Sequence, residues 1–236
     1  MATKEDIIGF LQEDKIKNIN MINFIESYPI HYMERFKDSV VVKGKSDENW
    51  VYLSSSSEEE LKTLLMRCEE DEFFVITEDW MLPLILENRE IDWKLSCMKL
   101  VFPDDKELPK CKHDIRKLKP KDAEYIFRGS KYKEYTSIEY ITHRIENGVA
   151  LGIYEGEKLI AWLMTHDDGA IGFLNVLPEY RKKGYGYDLT ISMIENLRSI
   201  NEISFVHIEE DNYKSMNLAL KTGFVKAGKI HWIKRK

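Results

Sequence analysis

Cysteine is scarce, and the little there is has no pattern. Cys68, Cys97 and Cys111 are an odd number without paired spacing, which suggests neither a disulfide framework nor a zinc site. Free thiols in a reducing compartment, and no bound metal, are the expectation. Long apolar runs are missing too. None approaches the ~20 residues of a membrane span, and the opening Met1-Ala2-Thr3-Lys4-Glu5-Asp6 has no apolar signal core. The chain therefore reads as cytoplasmic and off the membrane. Nor is there an excess of positive charge: 35 Lys and Arg stand against 41 Asp and Glu, a formal net charge of −6, which argues against nonspecific nucleic-acid binding. One basic end, His231-Trp232-Ile233-Lys234-Arg235-Lys236, reads as the solvated tail of an edge strand. At 236 residues, 43% hydrophobic and 32% charged, the chain is ordinary for a globular protein of one or two domains.

What is present is concentrated in residues 173–197. Phe173-Leu174-Asn175-Val176-Leu177 reads as an apolar strand stopped by Pro178, and Leu189, Met193, Ile194 and Leu197 recur at the spacing of a buried helix face. Between them lies Arg181-Lys182-Lys183-Gly184-Tyr185-Gly186, a turn suited to an anion. Gly184 and Gly186 allow a sharp turn and close approach of backbone N–H groups, and the helix N-terminus adds about half a positive charge. Nucleotide motifs are excluded: a P-loop needs Gly-Lys-Ser/Thr after its glycines and a dinucleotide fingerprint a third glycine, where Asp188, Leu189 and Thr190 stand. The plainer alternative is a strand-to-helix connection that uses glycine for packing.

Along the first half the patterns predict helices at 7–11 and 19–25, strands at 39–42 and 50–53, and a helix at 58–67 opened by a Ser57/Glu60 capping box. A strand at 73–76, a helix at 79–86 capped by Thr77 or Glu78, and a strand at 94–102 follow. Residues 103–114, with two prolines and many charges, read as an exposed connection, so domains are expected at 1–108 and 109–236. The pattern then restarts: strand 115–118, helices 121–127 and 137–147, a meander of strands at 149–154, 158–166 and 170–177, the anion turn and its helix, strand 205–208, and a helix opened by Asn212. This predicts an α/β (α+β) fold with a mixed, mostly antiparallel sheet flanked by helices.

The pattern Arg181-x-x-Gly184-x-Gly186 behind Val176-Leu177-Pro178 resembles the pyrophosphate loop of the GCN5-related N-acetyltransferase (GNAT) superfamily. Leu177-Pro178-Glu179-Tyr180-Arg181 is most similar to its glycine N-acyltransferase and FR47-like branch. Asn212, Ser215, Leu218, Gly223 and Phe224 fall where that superfamily has its second cofactor motif, and the element order of 115–232 is that of the GNAT fold. The first half resembles a degenerate copy with pieces missing. It has no Arg-x-x-Gly-x-Gly turn, so no cofactor is expected there.

The resemblance implies an acetyl-CoA-dependent N-acetyltransferase, moving an acetyl or short acyl group from acyl-CoA to the amine of a small molecule or amino acid. A non-catalytic acyl-CoA-binding module and a peptide or protein N-terminal acetyltransferase remain open, as do monomer and homodimer. The backbone of Lys182, Lys183, Gly184, Tyr185, Gly186 and Tyr187 would hold the diphosphate, with Arg181 adding charge and rigidity or standing merely solvated. Tyr185 and Tyr187 would cover the cofactor or only pack. The edge at Leu174, Asn175 and Val176 would pair with pantetheine amides as an added strand. Asn212 would bond the pantetheine or cap its helix, with Ser215 beside it.

Two departures stand out. The strand at 170–177 lacks the carboxylate that family members often carry there, and Ala219 occupies the place of the usual acidic tyrosine. An ammonium has no lone pair, so a base is required. Asp167 and Glu209 are the leading candidates, His166, Asp168 and His207 lie near in sequence, and Ser215 or Tyr213 would protonate the departing thiolate. An acceptor pocket is expected between residues 128–136 and the meander, near Tyr132, Tyr135 and Trp162.

Overall fold

The computed structural model describes residues 2–130, 133 and 136–236. Tyr132 and Tyr135 lie outside them. The chain forms two compact units. Unit 1 takes the chain through Lys99 together with Ile208–Asp211 and Lys226–Lys236, and unit 2 takes Leu100–His207 and Asn212–Val225.

Unit 1 opens with α1 (Lys4–Gln12) and α2 (Lys15–Ser27), followed by β1 (Ile30–Phe36), β2 (Ser39–Lys45), β3 (Asn49–Ser54), α3 (Glu58–Leu65), β4 (Phe73–Ile76), α4 (Met81–Leu86) and β5 (Ile91–Val101). Its sheet order is β1-β2-β3-β4-β11-β5, where β11 is the C-terminal strand Val225–Arg235. The β1–β2, β2–β3 and β4–β11 ladders are antiparallel, and β3 pairs with β4 in parallel. Two-residue alternation divides the strands between two cores. Val40, Val42, Trp50, Tyr52 and Val75 pack with α1 and α2, while Val41, Val51, Leu53, Phe74 and Ile76 pack with α3 and α4. A sheet buried on both faces reads as a near-continuous apolar run, as in Val40-Val41-Val42.

Three expectations are corrected here. Strand β1 was not predicted, because His31, Glu34 and Arg35 break its apolar alternation; it needs less apolar surface, being half-buried at the edge of the sheet. Ser57 caps α3 by accepting from the Glu60 N–H at 3.3 Å, but the Glu60 carboxylate turns to Ser39 Oγ at 2.6 Å instead of completing a capping box. The basic end is not a solvated edge. β11 lies between β4 and β5, and Arg235 is buried with its guanidinium donating to the carbonyls of Asp71 (3.1 Å), Ile85 (2.6 Å) and Cys68 (2.5 Å). With β1 included, the first half runs α-α-β-β-β-α-β-α-β, which is the element order of the second half without its opening strand.

Unit 2 contains β6 (Arg116–Lys117), a 3₁₀ turn at Pro120–Asp122, α5 (Ala123–Gly129), α6 (Ile138–Asn147), β7 (Ala150–Glu155), β8 (Lys158–Thr165), β9 (Ile171–Val176), a 3₁₀ turn at Pro178–Tyr180, α7 (Tyr185–Ser199), β10 (Phe205–Glu209) and α8 (Tyr213–Thr222). Its strand order is β10-β9-β8-β7-β6, antiparallel except β9 on β10. One core joins Ile126, Ile141 and Ile145 of the two short helices to Leu159, Trp162 and Met164 of β8. Leu189, Met193, Ile194 and Leu197 of α7 are buried, as their spacing predicts. Trp162 is only 2% exposed, so it is a core residue and does not line an acceptor pocket. The three cysteines are free thiols. Among the described residues no helix is long and apolar enough to cross a membrane, and no three ligating side chains form a metal cluster.

Candidate functional site

The site begins with an irregularity in β9. Thr165↔Ile171 and Met164↔Gly172 pair in register, then the ladder resumes at Trp162↔Asn175 and Ala161↔Val176. Leu163 therefore faces two residues, Phe173 and Leu174, which is a β-bulge. Phe173 has φ +56°, a conformation costing roughly 1–3 kcal/mol for a residue with a side chain. Its surroundings are tight. A Cβ on Gly172 would fall 2.1 Å from His166 Nε2, and the Phe173 ring lies 4.8 Å from the His166 ring and 6.1 Å from that of Tyr140. Periodicity gave no sign of the bulge; Gly172 inside an apolar strand was the available signal.

Beyond the bulge the strand presents an edge. Leu177 N–H donates to Ile160 O at 3.0 Å, so by alternation Asn175 directs its backbone groups toward β8, and Leu174 and Val176 direct theirs away. The parallel ladder to β10 holds one pair, Val206↔Ile171, and does not reach them. Arg181 Nε donates to Val176 O at 2.9 Å, tying the turn to the strand end. Arg181 is thus a tether rather than a merely solvated arginine.

The turn itself contains two left-handed residues, Lys182 at φ +63° and Gly184 at φ +92°. Gly184 is the N-cap of α7 and supplies no side-chain cap, so the first N–H groups of the helix have no intrahelical partner until Asp188 N–H reaches Gly184 O at 3.0 Å. Such a turn gathers N–H groups into an anion-binding concavity. Gly186 differs: a Cβ there would make ordinary contacts with Leu218 (3.6 Å), Val176 (3.7 Å) and Leu174 (3.8 Å), so neither its own backbone nor its neighbours demand glycine.

These parts enclose a groove of about 280 Å³, at the lower end of the ~300–1,000 Å³ of ligand pockets. Val176 of β9, Arg181, Lys182, Gly184, Tyr185, Gly186 and Tyr187 of the turn line it, joined by Tyr180, Leu218 and Lys221. Tyr180 and Lys221 were not anticipated; Lys221 sits one helical turn beyond Leu218, a spacing that would have flagged it. Lys183 instead lies over the Tyr180 ring at 5.3 Å, and Asn212 and Ser215 are not among the lining. A cavity of about 310 Å³ elsewhere in unit 2, lined by Lys117, Glu146 and Asn196 among others, has no anion turn.

Residues 150–233 match the model of the FR47-like protein family. That stretch is similar to FR47-like proteins, and the fold is that of GNAT structures. The whole chain is similar in fold to a Drosophila protein, at 18% identity and a TM-score of 0.76, covering 98% of this chain and 96% of that one. A GCN5-related N-acetyltransferase from Kribbella flavida aligns at 11% identity and a TM-score of 0.62, covering 93% and 94%. A tandem GNAT protein from the clavulanic acid biosynthesis pathway aligns at 11% and 0.53, covering 92% and 87%. These likenesses concern the fold. No curated protein matches the chain by sequence.

Within unit 2, Asn212 Oδ1 accepts from the Ser215 N–H at 3.2 Å and so caps α8. The amide keeps two donors on Nδ2, so capping does not use up its capacity for a ligand. Tyr213 is 71% exposed. Asp167 Oδ1 accepts from Tyr140 OH at 3.2 Å and from Asp168 N–H at 3.1 Å. Burial first, then the charge of Asp167, raises the Tyr140 pKa and keeps that phenol a donor. Asp168 accepts from Ala170 N–H at 3.0 Å, and its other oxygen lies 3.6 Å from His207 Nδ1. Glu209, half-buried at the end of β10, belongs to unit 1.

Behind the turn, Asp188 Oδ2 accepts from Lys112 N–H (2.7 Å), His113 N–H (3.1 Å) and His113 Nδ1 (2.7 Å). Burial would raise its pKa, but these donors outweigh it and the carboxyl sits below its ordinary value. A depressed folded-state value means that the unfolded chain takes up the proton first. The stabilisation is complete above about pH 4 and is lost as pH falls through the folded value. Asp188→Asn is accordingly expected to lose less stability than wild type between about pH 5 and 3, as checked by urea titration at the two pH values.

Proposed function

We propose that the protein transfers an acetyl or short acyl group from coenzyme A to the amine of a small molecule or amino acid. The observation that carries this reading is the groove at the uncapped start of α7, where a left-handed Gly184, Lys182 and the tethering Arg181 stand beside an outward-facing strand edge. The donor set fits an anion: main-chain N–H groups at the start of α7 without intrahelical partners, and cationic side chains from the turn and from Lys221. Backbone from Lys182 through Tyr187 would hold the diphosphate, and Leu174 and Val176 would pair with the amide-bearing arm. When bound, the coenzyme supplies an activated thioester. The Val176 N–H, which alternation turns away from β8, would donate to the acyl oxygen.

The chain must also take a proton from the acceptor, since an amine of pKa ~10 is mostly ammonium at neutral pH. Asp167 and Glu209 are the proposed carboxylates. Asp167→Ala and Glu209→Ala are each compared with wild type by thiol release and by coenzyme affinity. The base variant is expected to lose about 10²–10⁴-fold in rate with nearly unchanged affinity; wild-type rates in both would remove both residues from the role. Ser215 and Tyr213 are the proposed sources of a proton for the thiolate, and with a thiol pKa of ~8.5 a dedicated acid is dispensable.

A second reading, an acyl-CoA-holding module without turnover, is favoured by two observations. β9 contains no carboxylate, and Ala219, buried at 5% exposure, offers no acid. Thiol release from acetyl-CoA with a panel of amino acids and polyamines separates the two: release above hydrolysis for the enzyme, none for the module. Residues 1–108, lacking an anion turn, are proposed to bind no coenzyme.

A further inference from the structure

We propose that His113, on the strap that precedes β6, is a further coenzyme-binding residue, clamped by Asp188 so that its Nε2 faces a phosphate held at Gly184. This rests on the reading that the groove takes coenzyme A. The strap lies outside the stretch that matches the FR47-like family, residues 150–233, and its composition marks it only as a connection.

The geometry says otherwise. A single oxygen of a buried carboxylate in the first turn of α7 collects three donors from two successive strap residues. Cys111 adds a fourth contact, its thiol donating to Asp188 O at 3.4 Å. The His113 ring is thereby seated on Tyr185, with ring centroids 4.3 Å apart, and its Cε1 lies 3.6 Å from where a Gly184 Cβ would be. Nδ1 is committed to Asp188, so the nitrogen on the other side of that Cε1 is Nε2, and among the described residues it has no hydrogen-bond partner. The side chain keeps 25% of its surface exposed, which leaves it reachable. Gly184 and Tyr185, both beside the ring, line the groove.

An uncompensated carboxylate in the first turn of α7 would oppose an anion bound at that same turn. His113 resolves the conflict. With Nδ1–H already donated to Asp188, uptake of a proton places an N–H on Nε2. The resulting imidazolium is paired with Asp188 on one side and free to make a charge-assisted bond to a phosphate on the other. Histidine changes charge between about pH 5 and 8. The other groups facing it are Asp188 and Tyr185 from α7 and Cys111 and Lys112 from the strap, with Glu195 acting on Cys111. Burial first, then the charges of Asp188 and Glu195, raises the Cys111 pKa, so the thiol stays protonated over that range. A bond that draws on the cationic form of a histidine should therefore strengthen as pH falls.

The test is calorimetry of coenzyme A and of dephospho-coenzyme A with wild type, His113→Gln and His113→Asn at about pH 6 and 8. The 3′-phosphate titrates near pH ~6 on its own, so the readout is the difference between wild type and variants. Wild type is expected to bind about tenfold more tightly than His113→Gln at the lower pH, with the gap closing at the higher one. A gap kept with the dephospho form assigns the bond to the diphosphate; a gap lost assigns it to the 3′-phosphate. His113→Asn keeps a donor for Asp188 but has no Nε2, so it should behave like His113→Gln. Wild-type affinity and pH profile in either variant would overturn the proposal, and a rescue by asparagine would reduce His113 to docking the strap. If wild type itself takes up no coenzyme, the underlying reading fails and this one with it.

Discussion

Gly184→Glu is expected to abolish coenzyme A uptake while the protein stays folded. The residue has φ +92°, so any side chain there costs about 1–2 kcal/mol. A Cβ would nevertheless meet only His113 Cε1, at 3.6 Å, so there is room for the new atoms and no reason for global unfolding. The carboxylate would then stand at the entrance of the N–H concavity, bringing its own anion and repelling the diphosphate. Gly184→Ala separates the two effects, since it carries the strain without the charge. Calorimetry should give a loss of about tenfold for alanine, matching ~1.4 kcal/mol, and no measurable binding for glutamate. Glutamate and alanine behaving alike would mean that backbone conformation, and not anion recognition, is what Gly184 provides. Undiminished uptake by the glutamate variant would place the coenzyme elsewhere.

Trp162→Ala carries the largest expected loss of stability. The indole is 2% exposed, packs edge-on to Tyr125 with ring centroids 5.9 Å apart, and fills the space over Gly129, where a Cβ would lie 3.2 Å from its ring. Removing a side chain of this size from a core costs about 3–5 kcal/mol through lost burial and the cavity left behind. Its position adds a consequence for the site. Trp162 pairs with Asn175 at the point where the β8–β9 ladder resumes after the bulge. The cavity should therefore loosen the edge formed by Leu174 and Val176. Urea titration should show the full stability loss, and coenzyme affinity measured well below the transition should fall by a smaller factor. A loss under ~1 kcal/mol would indicate that the two short helices collapse into the space, and that this core is less tightly packed than its burial indicates.

Much of the fold was legible because helix and strand periods survive in the apolar pattern. The face of α7 through Leu189, Met193, Ile194 and Leu197, the meander with its two turns, and the Asn212 start of α8 all follow from local residue choice. Strand β1 was missed for a reason of the same kind. An edge strand that is half-buried needs no clean alternation, and His31, Glu34 and Arg35 obscured it. The capping box at Ser57 looked complete because local pattern cannot say that Ser39, 21 residues away, competes for the Glu60 carboxylate.

The site was legible as a list of residues and only partly as an arrangement. A short-range motif specifies backbone behaviour, so Arg181, Gly184 and Gly186 could be singled out from their order alone. What those residues touch depends on long-range packing. Arg181 turns back onto Val176, Lys221 arrives from α8, and the ring of His166 covers Gly172 beside the Phe173 bulge. Trp162 was assigned to an acceptor pocket on its type, and burial moved it into the core.

The sequence by itself determined the element order of the second half, the anion-suited turn and the want of a second such turn, since each depends on residues close in the chain. Only the tertiary structure decided that the final strand is interior to unit 1 and that a stretch resembling a mere connection is clamped to Asp188 through His113. Pairings across 75 residues or more leave no periodic trace, because they are set by which buried polar groups must find partners once the chain is compact.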